Sequence, residues 1–254
     1  MNNKQQQARR TRDGEALSQA CEQEGCPVCL VTLTRLEKAM DFWQYEWASE
    51  VENRQTLLRS RGFCSRHTWQ LVSLPGVPSP FALTMVYRSL FPDLLEDVQR
   101  DLARVKTGKA HAHGHFWSRI RARWLRGSRL RRSAQADEAA LFQQCPFCHR
   151  QEEIEQELIQ ELLLALSNAE FREGLSCATG FCLAHFTRAM SEARDDQQRV
   201  VLLEARQASL QRNMAELDEL VRKHDYRFLQ EARGPEMTSW RRAAELLVGN
   251  RGIR

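Results

Sequence analysis

Several things are missing from this 254-residue sequence, and each absence excludes something. Val and Ile are scarce beside Leu, Ala, Glu, Gln and Arg, and no run alternates apolar with polar residues well enough to make a strand. That composition favours helices throughout. No stretch approaches the ~18 uninterrupted apolar residues of a membrane span, and the N-terminal MNNKQQQARRTRDGEAL has no apolar core. We therefore expect no transmembrane segment and a cytoplasmic location. There is no nucleophile elbow, no phosphate loop and no pair of carboxylates at an interpretable spacing, so no motif argues for an enzyme. One region also lacks acid: residues 102–136 hold ten Lys and Arg and no Asp or Glu, within a chain of net charge +4. Such a basic segment can attract nucleic acid, anionic lipid or an acidic partner, or it can neutralise the protein's own acidic helices.

Cysteine is plentiful. There are eight, and six fall in closely spaced motifs. In a reducing compartment such thiols are better explained as metal ligands or redox groups than as disulfides. The motifs repeat. Cys26-Pro27-Val28-Cys29 returns 119 residues later as Cys145-Pro146-Phe147-Cys148, and Gly62-Phe63-Cys64-Ser65-Arg66-His67 returns 118 residues later as Gly180-Phe181-Cys182-Leu183-Ala184-His185. Two motifs in the same order at nearly the same offset indicate a duplicated unit.

Each unit supplies three Cys and one His, the donor set of a closed tetrahedral zinc site. In Cys-Pro-x-Cys the proline suits the first position of a helix, which leaves both sulfurs near unpaired amide N–H groups that favour thiolates. In Gly-Phe-Cys-x-x-His the glycine permits a sharp entry, and Cys and His three residues apart share one helix face. Iron–sulfur ligation by the same eight residues is the alternative, since thiolates alone do not select the metal. A redox dithiol is a third reading, but it leaves Cys64, His67, Cys182 and His185 unexplained. Chain proximity suggests that Cys26, Cys29, Cys64 and His67 share one ion and Cys145, Cys148, Cys182 and His185 the other. This requires the chain to double back, with reversals placed at 47–53 and 166–168. Cys21 and Cys177 read as ordinary small residues. His111, His113 and His115 read as part of a solvated linker.

Apolar periodicity places helices. Leu33, Leu36, Met40, Trp43 and Trp47 line one face after the first knuckle, and Ile154, Leu158, Leu162 and Leu166 do so after the second. A Pro-rich turn follows at 74–80, with helical stretches interrupted at Pro92. Leu203, Leu210, Met214, Leu217 and Val221 mark a long helix ending near Lys223. The clusters Lys223-His224-Asp225-Tyr226-Arg227 and Glu236 to Arg241 suit helix-end capping and interhelix pairing, with a pocket as the competing reading.

The strings CPVC, GFCSRH, CPFC and GFCLAH and the tail KHDYRF…SWRRAAELLVG resemble an uncharacterised bacterial family with the same duplicated motifs and a similar C-terminal segment, over most of residues 21–249. The resemblance implies a helical double-metal protein and no particular reaction.

The expectation is an all-α protein of two related helical units, each stapled by a Cys3His site and carrying two zinc ions per chain. The parts are a flexible N-terminus (1–20), a first metal-binding unit (21–106), a basic Arg-rich linker (107–134), a second metal-binding unit (135–224) and a C-terminal helical segment (225–254). With four protein donors on each ion, the metal has no catalytic role, and binding or scaffolding is the expected function. The partner is a protein or nucleic acid, met through residues 102–136.

Overall fold

The computed structural model describes residues 3–46, 51–60, 62–74, 80–107, 145–228 and 230–253. They are helical, with no strand among the described residues. Ten α-helices occur among them: α1 (Asn3–Cys21), α2 (Pro27–Glu46), α3 (Val51–Arg59), α4 (Ser65–Val72), α5 (Pro80–Lys106), α6 (Pro146–Ala165), α7 (Ala169–Cys177), α8 (Leu183–Glu192), α9 (Asp196–Lys223) and α10 (Ser239–Val248). Short 3-10 turns at Tyr226–Phe228 and Pro235–Thr238 connect the last two.

The chain divides into two compact units, one made of residues 1–36 with 152–254 and the other of residues 37–151. The division falls inside α2 and α6 rather than at 20, 106, 134 or 224. In the first unit α9 packs against α7, α8 and α10, and α1 packs against α7. Its core includes Leu17, Val28, Ile154, Leu158, Leu162, Leu175, Phe181, Leu202 and Ile253, all essentially inaccessible to water. The stretch expected to be a flexible N-terminus thus forms α1, and it buries Leu17 and Ala20. The second unit buries Met40, Trp43, Leu57, Leu71, Val86, Leu90 and Phe147. Residues 108–144, with the three linker histidines and nearly all of the basic segment, lie outside the described residues.

Local chemistry explains the boundaries. Asn168 caps α7, its side-chain oxygen accepting from the Glu170 N–H at 2.8 Å, so the break expected there is present. Asp195 caps α9 in the same way through the Gln198 N–H at 2.8 Å. At Pro92 the expectation fails, because α5 continues through it. Pro92 and Arg88, the residue whose carbonyl loses its donor, both stand on the exposed side of the helix, where water can satisfy that carbonyl.

Candidate metal centres

All four Cys motifs use one local design. Cys26 and Cys145 immediately precede α2 and α6, whose first residues are Pro27 and Pro146. Cys64 and Cys182 are the N-cap residues of α4 and α8, with extended backbones (φ −63°, ψ 160° and φ −66°, ψ 158°). The carbonyl of each Cys accepts the first helical hydrogen bond, from Leu30, His149, Thr68 and Phe186 at 2.9–3.2 Å. The second ligand of each motif, Cys29, Cys148, His67 or His185, sits three residues on and so turns back toward the first. Gly62 and Gly180 supply the sharp entry, with φ of +107° and +106°, a conformation that strains any residue with a Cβ.

The helix starts converge in pairs. Cys26, Cys29, Cys182 and His185 form set A, and Cys64, His67, Cys145 and Cys148 form set B; within each set the ligand atoms all lie within 4.8 Å of one another. Each set is therefore the meeting of two helix N-termini, whose partial positive charge favours thiolates. All eight expected ligand residues are brought together, but the expected sharing is overturned. Each Cys-Pro-x-Cys knuckle meets the Cys-x-x-His of the other motif pair, not the one that follows it in its own half. Helix lengths explain this. α2 is 20 residues and about 30 Å long, whereas the returning α3 is 9 residues and about 14 Å. The chain comes back only part of the way, and Phe63, next to Cys64, stacks edge-on against Trp43 at 4.9 Å between ring centroids. Trp43 lies fourteen residues, or about 21 Å, along the helix from Cys29.

In set A the Nδ1 of His185 lies 3.5, 3.3 and 3.3 Å from the sulfurs of Cys26, Cys29 and Cys182, and Cys29 Sγ is 3.8 Å from Cys182 Sγ. In set B the Nδ1 of His67 lies 3.2, 3.5 and 3.4 Å from the sulfurs of Cys64, Cys145 and Cys148, with Cys148 and Cys64 3.7 Å apart. The other ring nitrogen of each imidazole points at an oxygen of α6. His67 Nε2 donates to Gln151 Oε1 at 3.2 Å, and His185 Nε2 lies 3.5 Å from the buried carboxylate of Glu155. The hydrogen bond to Gln151 fixes the His67 tautomer that leaves Nδ1 free to ligate, and the Glu155 carboxylate favours a proton on Nε2 of His185.

The electrostatics are those of a cation trap. Hydrogen bonds from Cys26 and Cys29 hold the Cys182 thiol well below the usual range, while hydrogen bonding to Cys182 pushes Cys29 up. In set B, hydrogen bonds to Cys145 and Cys148 push Cys64 down, and those to Cys145 and Cys64 push Cys148 up. Burial works against charge on the imidazoles, yet the thiolates win. Cys145 and Cys64 push His67 up to about 9, and Cys182, Cys26 and Glu155 push His185 up to about 11.

Sequence reasoning did not find the residues around the ligands. Arg206, buried in the first unit, donates to the carbonyls of Phe181 and Leu246 and lies over the Phe186 ring. Cys182 and Cys26 offset part of the burial that lowers its pKa, so its charge is felt at set A. Gly249 (φ +86°) ends α10 directly over the same set: a Cβ there would lie 3.3 Å from Cys29 Sγ and 3.5 Å from Cys182 Sγ. Only its place after an amphipathic helix signalled a C-terminal cap. Beside set B, Arg66 reaches Cys148 Sγ at 4.0 Å, and Phe147 packs on Phe63 and Trp43. Cys21 is buried outside both sets, and burial raises its thiol to about 12. Cys177 is exposed. The cluster at 223–227 caps and ties the end of α9: His224 Nδ1 lies 2.9 Å from the Leu220 carbonyl, and Lys223 pairs with Glu236 at 2.8 Å.

Comparison with known proteins adds a family. The model described as "Family of unknown function (DUF6062)" matches residues 14–252, and the chain belongs to that family. No curated protein and no solved structure matches it.

Proposed function

For this member of a family whose function is unknown, we propose a zinc-binding helical protein in which two structural Cys3His sites clip distant parts of the chain together for a binding or scaffolding role. The observation that carries the reading is the spacing of the ligand atoms. A tetrahedron with Zn–S of ~2.3 Å and Zn–N of ~2.0–2.1 Å puts two sulfurs about 3.8 Å apart and sulfur about 3.5 Å from nitrogen. The Cys29–Cys182 and Cys148–Cys64 sulfur pairs lie at 3.8 and 3.7 Å, the sulfur–nitrogen distances at 3.2–3.5 Å, and all ligand atoms of a set within 4.8 Å of one another. A cluster of several irons spreads its cysteines over different metal atoms and needs wider separations, so this spacing favours a single ion over iron–sulfur ligation. Four protein donors fill the tetrahedron and leave no position for water or substrate, which supports a structural role. Arg206 and Arg66 would each offset the net negative charge of three thiolates on one divalent ion.

Other parts of the reading rest on weaker support. Duplication is supported by matched helix lengths: α2 and α6 have 20 residues each, α3 and α7 have 9, and α5 and α9 have 27 and 28. A reducing, cytoplasmic setting is supported by eight free thiols. No helix among the described residues is long and apolar enough to cross a membrane. Nucleic acid or an acidic protein as partner of residues 102–136 rests on charge alone.

The decisive experiment is metal counting on purified variants. The wild type should carry two zinc ions per chain. Cys29→Ser with Cys64→Ser should lose both, because each mutation breaks a different set, whereas Cys29→Ser with Cys182→Ser should lose one. Iron with acid-labile sulfide would overturn the zinc assignment, and the reverse pattern of losses would overturn the pairing.

A further inference from the structure

Helix α9 is built inside out. Its buried face carries Leu202, Ala205, Arg206, Ser209 and Asn213, three of them polar. Those polar groups are satisfied within the unit: Arg206 by two carbonyls, Ser209 by the Arg206 carbonyl at 3.0 Å, and Asn213 by the Ser239 carbonyl at 3.1 Å. The apolar residues that mark the helix in the sequence point elsewhere. Val200, Leu203, Leu210, Met214 and Val221 are 49, 49, 45, 62 and 73% exposed. With Gln207 and Leu217 they recur at steps of 3, 4, 3, 4, 3 and 4, which is the seam of a coiled coil three heptads long. Apolar area on the order of 500 Å² lies bare on this stripe, near the upper limit for a monomer's largest patch.

We propose that this stripe pairs with the same stripe of a second copy of the chain, in parallel and in register, as a two-stranded coiled coil. Three features identify the occupant. Val200, Met214 and Val221 fall at a positions and Leu203, Leu210 and Leu217 at d positions; β-branched residues at a with Leu at d suit two parallel strands. Gln207 is the one polar residue at an a position. Only parallel, in-register pairing sets it opposite itself, where the two amides can hydrogen-bond. Charge agrees: Arg199, at g, would face Glu204 of the second copy, at e. Antiparallel pairing with full overlap would instead set Glu204 against Asp218 of the second copy. Arg199 now pairs with Asp196 at 2.8 Å, one turn away and 95% exposed, and donates to the Ala193 carbonyl at 3.0 Å; facing Glu204 of the second copy requires it to exchange the exposed Asp196 for that carboxylate. Two such stripes bury about 1,000 Å², the low end for a specific interface, so a dimer of micromolar strength is expected. The pairing depends on neither ion.

The test is the mass of the full-length protein across a concentration series, by light scattering and sedimentation. Wild type should pass from monomer to dimer in the micromolar range. Leu210→Glu with Met214→Glu should be monomeric throughout, with unchanged helical dichroism and metal content, since both side chains are exposed. Arg199→Glu should weaken the dimer several-fold, and adding Glu204→Arg should restore it. Three results would overturn the proposal: a wild type that stays monomeric at 100 µM, a dimer indifferent to the double Glu substitution, or a charge swap that fails to restore pairing. A wild-type monomer that dimerises only after residues 108–134 are deleted would count the same way, showing that the chain's own basic segment covers the stripe.

Discussion

Set A and set B share ligand types, motif geometry and helix-start design, yet one is fully buried and the other only in part. All four ligands of set A are buried, under the backbone of Gly249 and beside the buried Arg206 and Glu155. In set B, Cys64 and Cys148 are half-buried, and the neighbouring cation is a partly exposed arginine. Identical ligand motifs therefore do not make equivalent sites. What covers the ligands decides how strongly an ion is held and how quickly it leaves.

The most direct way to break this comparison is to remove one ligand from each set. Cys182→Ser should lower stability by more than ~4 kcal/mol, because structural zinc is worth about 10–16 kcal/mol in small peptides and the mutation leaves two thiolates and an imidazole buried without their ion. Cys148→Ser should cost about half as much, since water can reach its site. Calorimetry of the two variants decides, and equal losses would mean that cover is irrelevant. Kinetics sharpen the contrast. A strong chelator with a coloured metal indicator should draw out one ion at least tenfold faster than the other. Cys64 and Cys148 should then be alkylated before Cys26, Cys29 and Cys182, as peptide mass spectrometry would show. Simultaneous release would refute the difference.

The imidazole partners give smaller effects. Glu155→Gln should weaken metal binding at set A about tenfold, with Gln151→Leu doing less at set B, because a carboxylate raises the basicity of the ligating imidazole more than an amide does. Competition titration against a chelator of known affinity measures both. Smallest is the glycine test. Gly249→Ala should cost about 1–2 kcal/mol, from a strained positive φ plus crowding of two sulfurs, and Gly62→Ala about 1 kcal/mol, because the nearest atom to its Cβ is Leu90 Cδ1 at 3.5 Å. Thermal melts that rank Gly62 above Gly249 would contradict the close approach of the backbone to set A.

The ligands and the helical class were legible because short motifs and 3.6-residue periodicity are local properties. Cys-Pro-x-Cys must start a helix wherever it stands, and Ile154, Leu158 and Leu162 must lie on one face. The sharing of ions was not legible. The two knuckles are chemically interchangeable, as are the two Cys-x-x-His starts, so choosing between them needs the length of α3 against α2 and the contact of Trp43 with Phe63. Leu203 to Val221 were read correctly as a helix, but the face it buries was not legible, since the inward side of α9 is held by Arg206, Ser209 and Asn213, which carry no apolar signal. Glu155, Gln151 and Arg206 are ordinary residues in sequence and acquire their place only through packing.

Because each knuckle joins the distant Cys-x-x-His, the two closures are nested: set A spans Cys29 to Cys182, a separation of 153 residues, and set B lies wholly inside it, with His67 and Cys145 78 apart. This order matters on the ribosome. When residues 64–67 emerge, the first knuckle and the first Cys-x-x-His are the only members of the two sets yet made, and together they form a complete but wrong ligand set. The correct partner of Cys26 and Cys29 arrives more than 110 residues later, after roughly 6–25 s of synthesis at about 5–20 residues per second. A nascent chain supplied with free zinc during that interval has every chance to close the wrong loop. On the zinc reading proposed above, final assembly would then depend on thiolate exchange at a metal already bound, and abundant zinc during translation should slow maturation of this protein rather than help it.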